Sequence, residues 1–209
     1  MSGGRISLTK KKQDTDYDLN VNQNPKNKFW VVEDFYSNPM SVRDYALSRD
    51  YIQGGLGRGF IGSRSANQYL FPGLKEKFES IMGIKIREWE SHGMNGRFQF
   101  CIGGEPLVYH CDDQTWAAVL FLTPNAPVAS GTSFFKHKIT QCRHKFDPRI
   151  MEIFSSGTTM DRTPHEMVDS VGNVFNRIVI FDAGLIHSAT DYFGKDINNG
   201  RLFQIFFFD

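Results

Sequence analysis

The part of the chain that begins at Arg97 is a series of short strand-like segments, and this pattern narrows the possible folds more than any other feature. Apolar and aromatic segments are separated by turn residues at 97–102, 107–112, 116–122, 132–135, 177–181, 185–189 and 201–208. Many short strands in one half of a chain are typical of a β-sandwich or a barrel. The 19 phenylalanines, most of them in short runs, also favour strand cores over helical bundles. A mainly β fold is therefore expected.

Upstream of these strands, the sequence predicts one more strand and two flanking helices. The apolar residues 29–32 form the strand candidate. Asn38 followed by Pro39 is typical of a helix start, and apolar residues continue the helical pattern to Leu47. Residues 74–82 predict the second helix.

At 209 residues the chain is long enough for one domain with its own core. Residues 1–27 are polar and lysine-rich, which predicts a flexible arm ahead of a single domain at 28–209. Residues 137–173 are polar and rich in His, Arg and Asp, so a helical or irregular insertion between two strands is expected there. The glycines at 54–59 lack the lysine-serine ending of a phosphate loop, and no nucleotide site is expected.

The charge balance and the cysteines exclude several classes of protein. Lys and Arg total 24 against 23 Asp and Glu, so no overall field favours nucleic acid or an anionic membrane as a partner. Three cysteines without a Cys-x-x-Cys pair argue against a disulfide framework and a thiolate zinc site. No apolar stretch approaches the length of about 18 residues that a membrane span needs. A soluble, cytoplasmic protein is expected.

The segment Tyr109-His110-Cys111-Asp112 is the strongest chemical feature of the chain. Side chains alternate along a strand, so His110 and Asp112 are expected on one face and can grip one metal together. A histidine from a distant strand, His187, can complete the set. Two histidines and one carboxylate with open positions are the ligand set of non-haem Fe(II) oxygenases.

Two downstream features give this short motif its specificity. The apolar strand and turn at 176–184 lead directly to His187. Farther along, Gly200-Arg201 opens the last apolar strand. An arginine at that position can bind a carboxylate through two parallel hydrogen bonds, which a lysine cannot do as well.

The order of these features resembles the prolyl-4-hydroxylase-like branch of the Fe(II)/2-oxoglutarate-dependent dioxygenases. The features are His-x-Asp at 110–112, a Gly-Thr-x-Phe-Phe strand at 131–135, the distal His187, and Gly200-Arg201. The resemblance implies a double-stranded β-helix, or jelly roll, with flanking helices. It also implies that His110, Asp112 and His187 bind iron and that Arg201 binds the far carboxylate of 2-oxoglutarate.

The sequence departs from the family pattern in two ways. The loop between the distal histidine and Arg201 is longer than usual, which makes Lys195 a rival anchor for 2-oxoglutarate. Two tyrosines that often bind 2-oxoglutarate in the family correspond here to Cys101 and Phe121. Gln99, two residues before Cys101 on the same strand face, is the candidate substitute.

The resemblance implies a dioxygenase that hydroxylates a C–H bond of a peptidyl residue or a small molecule. Its cofactor is Fe(II), its co-substrates are 2-oxoglutarate and O2, and ascorbate stimulates turnover. Prolyl residues, amino acids, other metabolites and nucleic acid bases all stay open as substrates, and so does the oligomeric state.

Two other functions use the same residues. A cupin-like hydrolase or isomerase would hold Zn²⁺ or Mn²⁺ in the triad, but it would leave Arg201 without a purpose. A non-catalytic jelly-roll binding module would have no need of an open metal triad. Fold analogy alone does not separate these three functions.

Overall fold

A computed structural model of the protein describes residues 28–55, 60–155 and 158–209. The predicted flexible arm at 1–27 lies outside these residues. Within the described residues, twelve strands form two antiparallel sheets, accompanied by three helices. Each of these helices is too short or too polar to cross a bilayer.

The helices of the described residues are α1 (Pro39–Leu47), α2 (Leu74–Met82) and α3 (Ile150–Ile153). The strands are β1 (Phe29–Val32), β2 (Tyr51–Gly55), β3 (Phe60–Ser65), β4 (Phe98–Cys101), β5 (Tyr109–His110), β6 (Trp116–Phe121), β7 (Thr132–His137), β8 (Thr158–Thr159), β9 (His165–Val171), β10 (Ile178–Asp182), β11 (His187–Ala189) and β12 (Arg201–Phe208).

The larger sheet has the strand order β1-β10-β6-β12-β4-β3-β2, and the smaller sheet has the order β8-β5-β11-β7-β9. Most neighbouring strands are far apart in sequence, so the chain crosses repeatedly between the two sheets. This arrangement is the double-stranded β-helix, or jelly roll, in which two antiparallel sheets face each other. The predicted fold class is confirmed.

The closing strand β12 shows how the larger sheet buries both of its faces. The side chains that pack toward the helices are Leu202, Phe206 and Phe208. The side chains that pack between the sheets are Phe203, Ile205 and Phe207. Because side chains alternate along a strand and both faces are covered, the strand is apolar almost throughout.

Helix α2 covers the outer face of the larger sheet through Phe78. The ring centroid of Phe78 lies 5.3 Å from that of Trp89, 5.0 Å from that of Phe206 and 5.3 Å from that of Phe208. Gly83 follows the helix with a φ of 69°, a left-handed conformation that glycine adopts readily at helix ends. The helix therefore spans the residues that the sequence predicted.

The expectation of a helical or irregular insertion at 137–173 is wrong for its last part, where β9 lies. Strand β9 pairs with β7, with His165 opposite His137 and Val171 opposite Thr132. It is an edge strand of the smaller sheet, and most of its side chains are partly or fully exposed. Edge strands commonly carry charged residues, so β9 lacks the apolar pattern that marked the other strands.

The β2–β3 hairpin extends the larger sheet where the sequence predicted no strand. Strand β3 pairs with β4, and Ser63, the residue after Gly62, lies opposite Phe100. Gly62 has a φ of 77°, and a Cβ at this position would collide with the carbonyl oxygen of Phe100. The glycine therefore permits the close approach that joins the hairpin to the sheet.

Candidate metal centre

His110 and His187 face each other on adjacent strands of the smaller sheet. They are direct partners in the antiparallel pair of β5 and β11, and their ring centroids lie 4.3 Å apart. Asp112 follows β5, with its Oδ1 3.6 Å from Nε2 of His110 and its Oδ2 3.2 Å from Nε2 of His187. One donor atom of each residue lies within 4.8 Å of the other two. The structure thus brings the three predicted ligands together.

Both histidines are oriented by a backbone carbonyl. Nδ1 of His110 lies 3.1 Å from the carbonyl oxygen of Val108, and Nδ1 of His187 lies 2.9 Å from that of Leu185. A hydrogen on Nδ1 donates to this oxygen and leaves the lone pair on Nε2, which lies next to Asp112. A hydrogen bond of this kind fixes the tautomer and the ring orientation of metal-binding histidines.

The electrostatics of His110 and Asp112 favour the protonation states that bind metals. Burial lowers the pKa of His110 below its ordinary value, and the neighbouring His187 adds to this effect. Burial alone would raise the pKa of Asp112, but the two histidines outweigh it and the pKa is lowered. A neutral imidazole and an ionised carboxylate are the forms that donate lone pairs to a divalent metal.

Asp112 lies outside the ladder of β5, which is shorter than the predicted strand at 107–112. The N–H of Asp112 donates to the carbonyl of Ala183 at 2.8 Å. Nζ of Lys145 donates to the carbonyls of Asp112, Asp113 and Gln114 at 2.8, 2.7 and 2.7 Å. These hydrogen bonds from Lys145 stabilise the turn that carries the carboxylate of Asp112.

Arg201, at the start of β12, is 2% exposed and is held by the turn before β7. Its Nε donates to the carbonyl of Ser130 at 2.9 Å, and its Nη2 donates to the carbonyl of Gly131 at 3.1 Å. The guanidinium carbon lies 5.4 Å from the ring centroid of Phe121 and 4.4 Å from that of Phe203. Within the described residues, Nη1 donates no hydrogen bond, so this nitrogen is available to a ligand.

A single inner cavity of about 120 Å³ joins the metal-site residues to Arg201. Its polar lining includes His110, Asp112, His187, Thr132, Ser188 and Arg201.

Lys195 does not line this cavity. It lies exposed on the loop before β12, where its N–H donates to Oδ1 of Asn199 at 2.6 Å. Of the two rival anchors, the structure places only Arg201 with the metal-site residues.

Gln99 also lines the inner cavity, but most of its amide is already engaged. Its Oε1 accepts a hydrogen bond from Nε of Arg64 at 2.8 Å. Its Nε2 donates to the carbonyl of Ile61 at 2.7 Å and lies 3.9 Å from the sulfur of Cys101. Gln99 therefore positions Arg64, a lining residue that sequence reasoning missed.

Cys101 and Phe121, which replace two tyrosines of the family pattern, are both fully buried. Burial raises the pKa of Cys101 to about 11, so this group stays a neutral thiol.

Tyr192, in the loop after β11, lines the inner cavity as well. Burial raises the pKa of Tyr192 above its usual value, so its hydroxyl stays protonated. Sequence spacing gave no signal for Tyr192, because its position depends on how the long loop folds back.

Residues 102–208 match the sequence profile of DUF6445, described as a family of unknown function. The chain belongs to this family. Because the function of this family is described as unknown, the match does not assign an activity. Among curated proteins, no sequence matches the chain.

Solved structures share the fold at low sequence identity. HygX from Streptomyces hygroscopicus, solved with nickel, 2-oxoglutarate and hygromycin B bound, is 12% identical, with 85% of this chain and 81% of HygX covered and a TM-score of 0.54. SnoN, a non-haem α-ketoglutarate-dependent epimerase from nogalamycin biosynthesis, is 15% identical, with 85% and 74% covered and a TM-score of 0.52. A Trichoplax adhaerens prolyl hydroxylase, in complex with a peptide of hypoxia-inducible factor, is 14% identical, with 88% and 84% covered and a TM-score of 0.49. The chain has the fold of Fe(II)/2-oxoglutarate-dependent oxygenases, as its sequence resemblance implied.

Proposed function

We propose that this protein is a non-haem Fe(II)- and 2-oxoglutarate-dependent dioxygenase that hydroxylates a C–H bond of a small molecule or a peptidyl residue. The observation that carries the proposal is one cavity that joins His110, Asp112 and His187 to Arg201. Two histidines and one carboxylate are the ligand set of this class of oxygenase. The fold shared with HygX and SnoN supports the same class.

The donor set fits a divalent metal. Nε2 of His110 and of His187 and the carboxylate of Asp112 would hold Fe(II), because Nδ1 of each histidine is already bound to a carbonyl. When bound, the iron supplies the activation of dioxygen. In the overall reaction, 2-oxoglutarate, O2 and R–H give succinate, CO2 and R–OH, and ascorbate keeps the iron reduced.

Arg201 anchors the far carboxylate of 2-oxoglutarate in this proposal. Because Nε and Nη2 already bond Ser130 and Gly131, the free Nη1 makes the contact. Gln99 is the second proposed contact, through the Nε2 hydrogen that faces only the sulfur of Cys101. Sulfur is a weak acceptor, so a carboxylate competes easily for that hydrogen.

The test is turnover of 2-oxoglutarate without the true substrate. With Fe(II), O2 and ascorbate, the protein should slowly release succinate, and labelled 2-oxoglutarate should release labelled CO2. The control is the same preparation loaded with Zn²⁺, which should release neither. If 2-oxoglutarate neither binds nor turns over while iron is in place, the cupin-like alternative or a binding module replaces this proposal.

A further inference from the structure

Arg64, on β3, is a second arginine beside the candidate metal centre. It lines the inner cavity and also an outer cavity of about 220 Å³, and both cavities contact His110. One wall of the outer cavity is apolar and includes Phe60, Ile61 and Val108, while other lining residues are polar. Gln99 and Tyr192 line both cavities, so the two spaces adjoin.

Neutral neighbours hold the guanidinium of Arg64 in place. Its Nε donates to Oε1 of Gln99 at 2.8 Å, and its Nη1 lies 3.1 Å from the sulfur of Met94. The guanidinium carbon stacks over the ring of Phe60, 4.3 Å from the centroid. Within the described residues, Nη2 donates no hydrogen bond. The head group is thus fixed, with one nitrogen left for a ligand.

No carboxylate of the described residues lies within ion-pair distance of Arg64. Burial lowers its pKa to about 10, so the group is still charged at neutral pH. The charge of Asp112 acts on Arg64 only from beyond ion-pair distance. A partly desolvated cation that no carboxylate contacts is unfavourable, and arginines in such surroundings are usually paired. A bound anion would supply the missing partner.

The charges of the proposed loaded site lead to the same expectation. The charges of Fe(II), ionised Asp112, the 2-oxoglutarate dianion and Arg201 sum to zero when the histidines are neutral. Arg64 is then the one uncompensated cation among the described residues that line the inner cavity. A substrate with one negative charge would neutralise it.

We propose that the substrate is a carboxylic acid with an apolar body, and that Arg64 binds its carboxylate in the outer cavity. This inference rests on the proposed function, because it assumes that the outer cavity receives the substrate. The apolar wall accommodates the body of the acid, while the fixed guanidinium sets its orientation. Small-molecule sites typically combine apolar lining with a few polar groups that fix the orientation of the ligand.

The experiment compares hexanoate with hexanamide, which have the same shape but differ in charge. The protein is loaded with Mn²⁺ and 2-oxoglutarate, and the paramagnetic relaxation of the probe protons measures their binding near the metal. Hexanoate should bind about 10- to 150-fold more tightly than hexanamide, the range of one charge-assisted hydrogen bond. Arg64→Met should remove this difference, and Arg64→Lys should keep part of it because the charge remains. Arg49→Met is the matched control, since Arg49 also stacks on a ring, that of Tyr45, but lies outside both cavities.

The outcomes separate the two proposals. If the unmodified protein fails to bind Mn²⁺ or 2-oxoglutarate, the proposed function itself is wrong. If loading is normal but acid and amide bind equally, or neither binds, the role of Arg64 is wrong. The same conclusion follows if Arg64→Met keeps the preference for the acid. Displacement of labelled 2-oxoglutarate by hexanoate would place the acid at Arg201 and would also overturn the inference.

Discussion

Each histidine of the metal centre is oriented by the carbonyl two residues before it. Nδ1 of His110 hydrogen-bonds the carbonyl of Val108 at 3.1 Å, and Nδ1 of His187 hydrogen-bonds that of Leu185 at 2.9 Å. The two short strands therefore present their Nε2 atoms in the same way from opposite directions. Because backbone carbonyls orient both rings, we expect that either histidine can be replaced without unfolding the domain.

The first prediction concerns these ligands. His110→Ala and His187→Ala should each remove most of the affinity for Mn²⁺, because one of three protein donors is lost. The measurement is the dissociation constant from Mn²⁺ titration followed by electron paramagnetic resonance, with circular dichroism to verify folding. His137→Ala is the control, because His137 lies on β7 outside the cavity and should leave the affinity unchanged. Tight stoichiometric Mn²⁺ in both ligand variants would show that the triad is wrongly assigned.

The second prediction concerns Arg201. Arg201→Ala should weaken 2-oxoglutarate binding by about 10- to 150-fold, because a charge-assisted hydrogen bond of about 1.5–3 kcal/mol is lost. Arg201→Lys should restore part of the affinity, since it keeps the charge but not the planar group. Calorimetric titration of the Mn²⁺-loaded protein measures the effect, and Mn²⁺ binding should stay normal. Lys195→Ala is the control and should change little. An essential Lys195 beside a dispensable Arg201 would reverse the assignment.

At the scale of elements, strands with two buried faces were predictable from the sequence. Strands β6, β10 and β12 coincide with apolar runs in the sequence. Because both faces of these strands are buried, nearly every residue in them is apolar, and the runs are easily recognised. Edge strand β9 was missed because most of its side chains meet solvent. The β2–β3 hairpin was missed because its glycines serve close packing against a neighbour strand, which no local pattern reveals.

The same division applies to the site. His110 and Asp112 were predictable because they are two positions apart in sequence, and His187 because an apolar strand and a turn lead to it. Arg64 reaches the cavity only because β3 pairs with β4, and Tyr192 only because a loop folds inward. Residues that depend on long-range pairing carry no local signal of their role.

The third prediction concerns the turn that follows β5, which one side chain holds in place. Nζ of Lys145 bonds three successive carbonyls from Asp112 to Gln114. Lys145→Met keeps much of the side-chain length but removes these donors, so the carboxylate of Asp112 should lose its fixed position. Metal affinity should fall by about 10- to 100-fold, the usual effect of removing an outer-shell partner. Titration with Mn²⁺ measures it.

Lys138→Met is the matched control for Lys145. Nζ of Lys138 also bonds a carbonyl, that of Thr163 at 2.7 Å, but on a surface away from the ligands. Its loss should leave the metal affinity unchanged. Equal effects of the two substitutions would mean that Lys145 acts through general stability and not through the position of Asp112.

At the scale of the whole molecule, the outer face of the smaller sheet has a core of its own. It consists of Tyr109, Phe135, Cys142, Phe154 and Ile186. His165 of β9 is stacked between two of these rings, with centroids 4.9 Å from Tyr109 and 5.7 Å from Phe154. Its Nδ1 lies 3.1 Å from the carbonyl of Asp161, while its buried Nε2 has no partner among the described residues. A proton on this ring would therefore be costly.

The last prediction follows from that cost. Burial lowers the pKa of His165 below the ordinary value, the Asp161 carbonyl opposes this, and His137 and Lys138 reinforce it. As the pH drops below about 6.5, His165 becomes protonated in the unfolded chain but stays neutral in the folded protein. The free energy of unfolding should therefore fall. His165→Phe keeps the stacked ring but cannot take up a proton, so it should lose less stability between pH 8 and pH 5.5 than the unmodified protein. Urea unfolding of both proteins at the two pH values measures the difference, and an unchanged pH dependence in the variant would exclude His165 as its source.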